Sequence, residues 1–283
     1  MPHTPSQPSS LLPEPPPGHR PSLTPSRDAV VTALRAAGCV FAEDEAELII
    51  AAAQTPRDIT SMVERRAAGL PLELVVGWAE FRGRRITVEP GVFVPRRRTE
   101  FLVEQALAGR QPRPPRATVV VDLCCGSGAV GAALAAALGE AELHAADIDP
   151  AAVRCALRNV AALGGQVHTG DLFEALPGGL RGRVDILAAN VPYVPSDEID
   201  LLPPEARDHE PRVALDGGAD GLDVLRRVAA EAPGWLAPGG CLLVETSSRQ
   251  ASAAVDAFAA AGLRPRLAVC GERYAHVVTG FRP

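Results

Sequence analysis

The chain of 283 residues contains no lysine, so all 28 of its basic residues are arginine. Catalysis through a lysine amine is therefore excluded. The 34 acidic residues leave a net charge of −6, which argues against broad affinity for nucleic acid. The six cysteines show no Cys-x-x-Cys spacing, so we expect neither a disulfide framework nor a metal site. A reduced, cytoplasmic chain is the resulting expectation.

Long apolar runs are also missing. None approaches the ~20 residues that cross a bilayer, and the amino terminus lacks the basic-then-apolar order of a secretory signal. We therefore expect no membrane contact. Residues 1–25 hold nine prolines among serine and threonine, which predicts a disordered leader.

Helical periodicity follows over residues 26–71. Ser26 can cap a first helix that ends near Gly38, and the pattern continues over Glu43–Gln54. Thr55-Pro56 then begins a helix that stops at Gly69. The pattern predicts a small amino-terminal helical bundle.

Residues 72–116 are predicted to hold a hairpin, a helix and a linker, and strand-like usage marks Leu72–Val94. The pattern predicts a connecting β-hairpin with these parts: Leu74–Val76 and Phe81, the turn Arg82-Gly83, and Ile86–Val88. An apolar helix begins at Phe101, and Gln111–Pro115 indicates a linker.

Over residues 117–283, short aliphatic runs alternate with helical patterns. This alternation predicts an α/β fold with a Rossmann-like, doubly wound parallel sheet. The predicted strands are Thr118–Val121, Glu142–Ala146, Gln166–Thr169, Val184–Ala189, Cys241–Glu245, Arg266–Val269 and His276–Gly280. The predicted helices are Ala129–Leu138, Pro150–Leu163, Gly221–Ala232 and Gln250–Ala261.

A glycine-containing loop, Asp122-Leu123-Cys124-Cys125-Gly126-Ser127-Gly128, joins the first of these strands to its helix. The glycines let the backbone approach a ligand, but the spacing differs from the dinucleotide fingerprint. Asp122 would repel a pyrophosphate and favour a cation. Asp147 ends the next strand about 20 residues on, where an acid binds ribose hydroxyls, and Asp171 follows the third strand, near an adenine. A cationic adenosyl ligand without phosphate is S-adenosylmethionine.

The fourth strand is followed by Asn190-Val191-Pro192-Tyr193. The asparagine amide both donates and accepts hydrogen bonds, and the tyrosine ring can lie flat on a planar group. Together they suit an amide or an exocyclic amine. With the upstream loop they predict an N-methyltransferase in which Asn190 and Tyr193 are catalytic.

With these two motifs the chain resembles the HemK (PrmC-type) protein-(glutamine-N(5)) methyltransferases, which have a class I methyltransferase sheet. The similarity runs from about residue 27 to the carboxyl end. Besides the two motifs above it includes the family's Pro-Arg-x-x-Thr-Glu segment, here Pro95–Glu100, and the family-specific segment Glu210–Leu222.

The resemblance implies a role for each part of the site. Cys124–Gly128 would bind the methionine part of S-adenosylmethionine, Asp147 the ribose, and Asp171-Leu172 the adenine, while Asn190–Tyr193 would bind the target glutamine. The implied partner is a peptide chain release factor, methylated in its Gly-Gly-Gln loop, with the helical bundle docking the substrate protein.

The chain departs from the family pattern at four places. Val191 replaces a proline, Cys124-Cys125 replaces Gly-Thr, Arg97-Arg98 replaces Pro-Glu, and Glu245-Thr246-Ser247 replaces Glu-Ile-Gly. These changes leave open a glutamine of another protein, for example a ribosomal one. Two further alternatives are a nucleic-acid base as acceptor, against which the acidic charge argues, and a cofactor-binding protein without catalysis.

Overall fold

The structure, a computed structural model, describes residues 24–109 and 116–283. The predicted leader up to residue 23 and the predicted linker at 111–115 lie outside this part. The described residues divide into two compact units, one ending at Glu64 and the other beginning at Arg65. Within the described part, no helix is both long enough and apolar enough to span a membrane.

The first unit is helical. Its helices are α1 (Arg27–Ala36), α2 (Ala42–Ala52) and α3 (Pro56–Ala67), the last of which continues into the second unit. The Ser26 hydroxyl accepts the Ala29 N–H at 3.2 Å, which is the predicted cap. Helices α1 and α2 pack on each other, and each buries apolar side chains such as Leu34 and Ile49.

The second unit contains a short helix where the sequence predicts a strand. Leu74–Val76 is not a strand but lies in the short helix α4 (Leu72–Val76). A run of Leu and Val is compatible with either state. Here Gly77, at φ 83°, ends the helix and donates its N–H to the Glu73 carbonyl at 2.8 Å.

The predicted hairpin and helix follow. Strands β1 (Trp78–Phe81) and β2 (Arg84–Thr87) pair antiparallel around Arg82-Gly83. Helix α5 spans Glu100–Ala108.

The rest of the unit is a seven-stranded sheet with the order β5-β4-β3-β6-β7-β9-β8. The strands are β3 (Thr118–Leu123), β4 (Ala141–Asp147), β5 (Gln166–Thr169), β6 (Val184–Ala189), β7 (Leu236–Thr246), β8 (Arg264–Cys270) and β9 (Ala275–Phe281). The helices are α6 (Ala129–Leu138), α7 (Pro150–Val160), α8 (Pro204–His209), α9 (Asp223–Trp235) and α10 (Ala251–Ala260).

The α/β fold class is confirmed, with two differences in detail. Strand β9 runs antiparallel to β7 and β8, so the sheet is not parallel throughout. Only residues 271–274 separate β8 from β9, and so short a connection cannot join parallel strands. Strand β7 also begins earlier than predicted, because Leu236 pairs with Val184 of β6.

A buried carboxylate fastens the start of β6 to the segment that leads into β3. Asp185, whose side chain is 2% exposed, accepts two hydrogen bonds from the Arg116 guanidinium, both at 2.7 Å. It also accepts the Val119 N–H at 2.9 Å. Hydrogen bonds to a charged group contribute more than neutral ones, so this contact fixes the two central strands.

We therefore expect Asp185→Ala to lower the free energy of unfolding by roughly 2–3 kcal/mol, because it leaves the Val119 N–H without its partner. Urea unfolding at neutral pH measures this. Arg183→Ala is the control, since it breaks a surface ion pair with Glu142 (2.9 Å) and should cost less than about 1 kcal/mol. Equal losses in the two variants would contradict the expectation.

Candidate active site

The candidate site lies where neighbouring parallel strands end. Leu123 of β3 pairs with Ala146 of β4 and with Ala189 of β6, so these three residues lie level across the sheet. The next residue along each strand is a predicted site residue: Cys124, Asp147 and Asn190. The sheet therefore brings the loop and the two motifs to one edge, as parallel α/β sheets do.

This edge borders a cavity of about 550 Å³, a size typical of small-molecule sites. Every predicted site residue lines it except Gly128: Asp122, Cys124, Cys125, Gly126, Ser127, Asp147, Asp171, Leu172, Asn190, Val191, Pro192 and Tyr193. At Gly128, φ is 75°, and an added Cβ would lie 3.1 Å from the Ala156 side chain. Gly128 thus lets α6 approach α7 and does not line the cavity.

Two cavity residues other than glycine have left-handed backbones, Cys124 at φ 53° and Leu172 at φ 47°. Such conformations carry strain and cluster at functional sites. Burial raises the pKa of the Cys124 and Cys125 thiols, so both are neutral. Neutral thiols with raised pKa values are unreactive, so the two cysteines act here as small packing residues.

Asp147 binds the loop to the end of β4. One carboxylate oxygen accepts the Gly126 N–H and the other accepts the Asp149 N–H, both at 2.9 Å. Burial raises the pKa of Asp147. Each oxygen keeps a lone pair for a ligand hydroxyl, which suits a ribose.

Asp171 is placed differently. It forms an ion pair at 2.7 Å with Arg227, and both side chains are partly exposed. Leu172, the next residue, is buried. Asp171 and Leu172 therefore present one charged and one apolar side chain to the cavity.

Asp122 lies beneath the loop and is 1% exposed. It accepts the Gly131 N–H of α6 at 2.8 Å. Burial raises the pKa of Asp122 to about 8. A positive charge nearby would favour the ionised form of this carboxyl group, because it would offset the loss of hydration.

In the Asn190–Tyr193 motif, the surroundings of Val191 explain why valine can replace proline. Val191 is 1% exposed and packs in the main core, so an aliphatic side chain suits it. Asn190 lines the cavity, and its Oδ1 is buried without a hydrogen-bond partner among the described residues. A buried acceptor of this kind calls for a ligand N–H.

The Glu210–Leu222 segment supports this motif through backbone contacts. Val194 donates its N–H to the Leu215 carbonyl and accepts that of Gly217, both at 2.9 Å. A Cβ on Gly217 would lie 2.7 Å from the Pro192 carbonyl oxygen, so only glycine fits there.

The structure adds Phe93 and Ile148, which the motifs did not include, and brings Glu210 of the family-specific segment to the same cavity. Phe93, Ile148 and Glu210 line the cavity, and Ile148 is an apolar side chain left 53% exposed beside Asp147. The Glu210 carboxylate accepts the Val94 N–H at 3.2 Å and pairs with Arg96 at 2.7 Å. The sequence signal that could have indicated Ile148 is an aliphatic residue directly after the acid at the end of a strand.

Comparison with known proteins identifies the family. The chain matches the model of the methyltransferase small domain over residues 84–201. It is 40% identical over 203 residues to the release factor glutamine methyltransferase of Geobacter sulfurreducens, covering 71% of this chain and 69% of that protein. This chain belongs to the release factor glutamine methyltransferase family. The predicted family and enzyme class, a methyltransferase that uses S-adenosylmethionine, are thereby confirmed.

Other relatives of this methyltransferase carry different names. The 4-amino-L-phenylalanine/4-methylamino-L-phenylalanine methyltransferase of Streptomyces pristinaespiralis is 36% identical over 232 residues, covering 81% of this chain and 78% of that protein. Among solved structures, the Thermus thermophilus 16S rRNA N2 G1207 methyltransferase with AdoMet and guanosine has a TM-score of 0.52 and 22% identity, covering 73% of this chain and 50% of that one. The second likeness shows the fold alone.

The raised pKa of Asp122 generates a prediction about stability. An aspartate titrates near ~3.9 when unfolded and here at about 8, so the folded state holds this proton more tightly in between. The stability that this proton contributes is complete below about pH 4 and is lost as pH rises to about 8, at up to roughly 1.4 kcal/mol per pH unit.

Asp122→Asn cannot ionise and should escape this loss. Urea unfolding of both proteins between about pH 5 and pH 8 should give a free-energy difference that grows with pH in favour of the variant. A constant difference would contradict the burial argument.

Proposed function

We propose that this chain transfers a methyl group from S-adenosylmethionine to the side-chain amide nitrogen of a glutamine, in the Gly-Gly-Gln loop of a peptide chain release factor. The observation that carries the proposal is the buried, unpartnered Oδ1 of Asn190, at the strand edge where Asp147 also lies. Family membership supports the same activity.

The residues present fit the methyl donor. Asp122 is buried and Asp147 is half-buried, so a bound cation would stabilise the ionised form of each. The cavity has room for a ligand of nucleoside size. We assign the methionine part to Cys124–Gly128, the ribose to Asp147, and the adenine to Asp171-Leu172. When bound, S-adenosylmethionine supplies a methyl group already activated by its positive sulfur.

The chain's own task is to orient the acceptor. An amide nitrogen is a poor nucleophile, because its lone pair is delocalised into the carbonyl. Asn190 Oδ1 would accept one amide hydrogen and a backbone carbonyl the other, directing the nitrogen toward the methyl group. Gln250 already donates to the Tyr193 carbonyl at 2.9 Å, so we assign the second acceptor to Val191. Positioning and electrostatics then supply most of the acceleration.

The partner and location follow from the same proposal. We assign substrate docking to the helical unit that ends at Glu64, and the site of action to the cytoplasm, where release factors work. The expectation that no metal takes part remains a prediction.

A second candidate acceptor is a free aromatic amine. The relative from Streptomyces pristinaespiralis is named for an amino acid that carries one, and its alignment covers more of this chain than that of the Geobacter relative. An exocyclic amine of a nucleic-acid base is a third acceptor with the same planar chemistry.

One assay separates these acceptors. The protein is incubated with isotope-labelled S-adenosylmethionine and, in parallel, with a release factor, 4-amino-L-phenylalanine or ribosomal RNA. We expect label in the release factor, located by mass spectrometry on the glutamine of its Gly-Gly-Gln loop. Label in either other acceptor alone would overturn the glutamine assignment.

Asn190→Ala tests the role of the motif. We expect methyl transfer to fall by at least about 100-fold, because the acceptor amide loses its orientation. The affinity for S-adenosylmethionine, measured by calorimetry on the same preparation, should change little and serves as the control for folding. Full residual activity would contradict the role given to Asn190.

A further inference from the structure

Two charged side chains hold the hydroxyl group of Tyr193. Arg98 donates to the Tyr193 oxygen through Nη2. The tyrosine hydroxyl donates to Glu245 Oε1 at 3.2 Å, and Arg98 donates to the same Oε1 through Nε at 2.9 Å. The three groups therefore form a closed triangle of hydrogen bonds.

The triangle is anchored in the sheet by Glu245. This residue lies in β7, pairs there with Val277 of β9, and has a side chain that is 2% exposed. Within the part of the chain that the structure describes, Arg98 is its one cationic partner. A buried carboxylate without a partner destabilises the fold. The ion pair with Glu245 therefore holds the Arg98 guanidinium beside it.

Tyr193 enters the triangle as a neutral phenol. Burial, together with the charge of Glu245, raises its pKa well above the usual range. The hydroxyl thus keeps the proton that it donates to Glu245. The guanidinium of Arg98 also lies 5.8 Å from the centre of the tyrosine ring.

The backbone end of Tyr193 is fixed as well. Gln250 donates through Nε2 to the carbonyls of Tyr193 and Asp220, both at 2.9 Å. Ser247 in turn donates its hydroxyl to Gln250 Oε1 at 2.6 Å. With both ends held, the ring that lines the cavity has a single orientation.

We propose that Arg98 is a positioning residue, which together with Glu245 holds the Tyr193 ring as a fixed wall against the acceptor. The inference rests on the proposed function, with the Tyr193 ring lying flat on the acceptor amide as the sequence predicts. Arg98 stands where the resembled family has glutamate. A glutamate there could not donate to Glu245, so this arrangement belongs to this chain and not to the family pattern.

The arginine run supplies a matched control. Arg97 is adjacent to Arg98 and chemically identical, but its side chain is 82% exposed and only approaches Glu80, at 3.4 Å. Any effect that arises from Arg98 alone reflects its contacts and not the charge of the run.

The kinetic test compares three variants on the release factor. Arg98→Gln should lower kcat by about tenfold or more through misplacement of the ring, while the Kd for S-adenosylmethionine stays within about twofold. Arg98→Lys should recover part of the loss, because a single ammonium cannot match the planar fork that serves two partners. Arg97→Gln should behave as the parent. Equal losses for the Arg97 and Arg98 variants would overturn the proposal.

A spectroscopic test reads the ring directly. The chain has two tyrosines, of which Tyr274 is 87% exposed. Fluorotyrosine labelling should give two fluorine resonances, and Tyr193→Phe assigns them. Arg98→Gln should move the Tyr193 resonance and leave that of Tyr274. An unmoved Tyr193 resonance would overturn the proposal.

A paired replacement covers the case in which Arg98→Gln fails to fold. Arg98→Met combined with Glu245→Leu removes both charges together, so neither is left without a partner, and such exchanges are often neutral or stabilising. We expect a folded protein with kcat still reduced about tenfold; parental kcat would overturn the role of Arg98. If the parent methylates no release factor, the proposed function fails, while the fluorine resonances still report whether Arg98 orders the ring.

Discussion

The register between β3, β4 and β6 is the constraint on which the rest of the site depends. Side chains alternate across a strand, so a slip by one residue would turn either strand-end group toward the opposite face. With Leu123 level with Ala146 and Ala189, the Asp122–Gly128 loop, Asp147 and Asn190 meet at one edge. The buried ion pair of Asp185 helps to set that register, because it ties the beginnings of two of these strands.

The same edge carries a cost in stability. Burial raises the pKa of Asp122 and Asp147, which means that the fold makes their ionised forms less favourable. A fold selected for stability alone would avoid such acids, and the left-handed backbone at Cys124 adds strain beside them. Conflicts of this kind concentrate at functional sites. A bound cation would offset the electrostatic part, so under the proposed function the methyl donor and these acids would stabilise each other.

The sequence predicts those parts of the site whose residues are close together in the chain. The segment Asp122–Gly128 and the motif at Asn190 each follow directly on an aliphatic strand, so their place at the sheet edge could be inferred. Contacts between distant segments could not. Arg98 and Glu245 are 147 positions apart, and no spacing rule relates them. The helix at Leu72–Val76 was also missed, because neighbouring residues decide between the two states that its composition allows.

This division between local and distant contacts bears on substrate choice. The proposed donor side of the cavity is built from contiguous loops at strand ends. The proposed acceptor side depends on distant contacts, in which Gly217 approaches Pro192 and Glu245 pairs with Arg98. Val191 lines the cavity and also packs in the core, where an aliphatic side chain can take the place of proline. We infer that relatives can share the donor motifs and differ in acceptor, as the name of the amino-acid methyltransferase at 36% identity suggests.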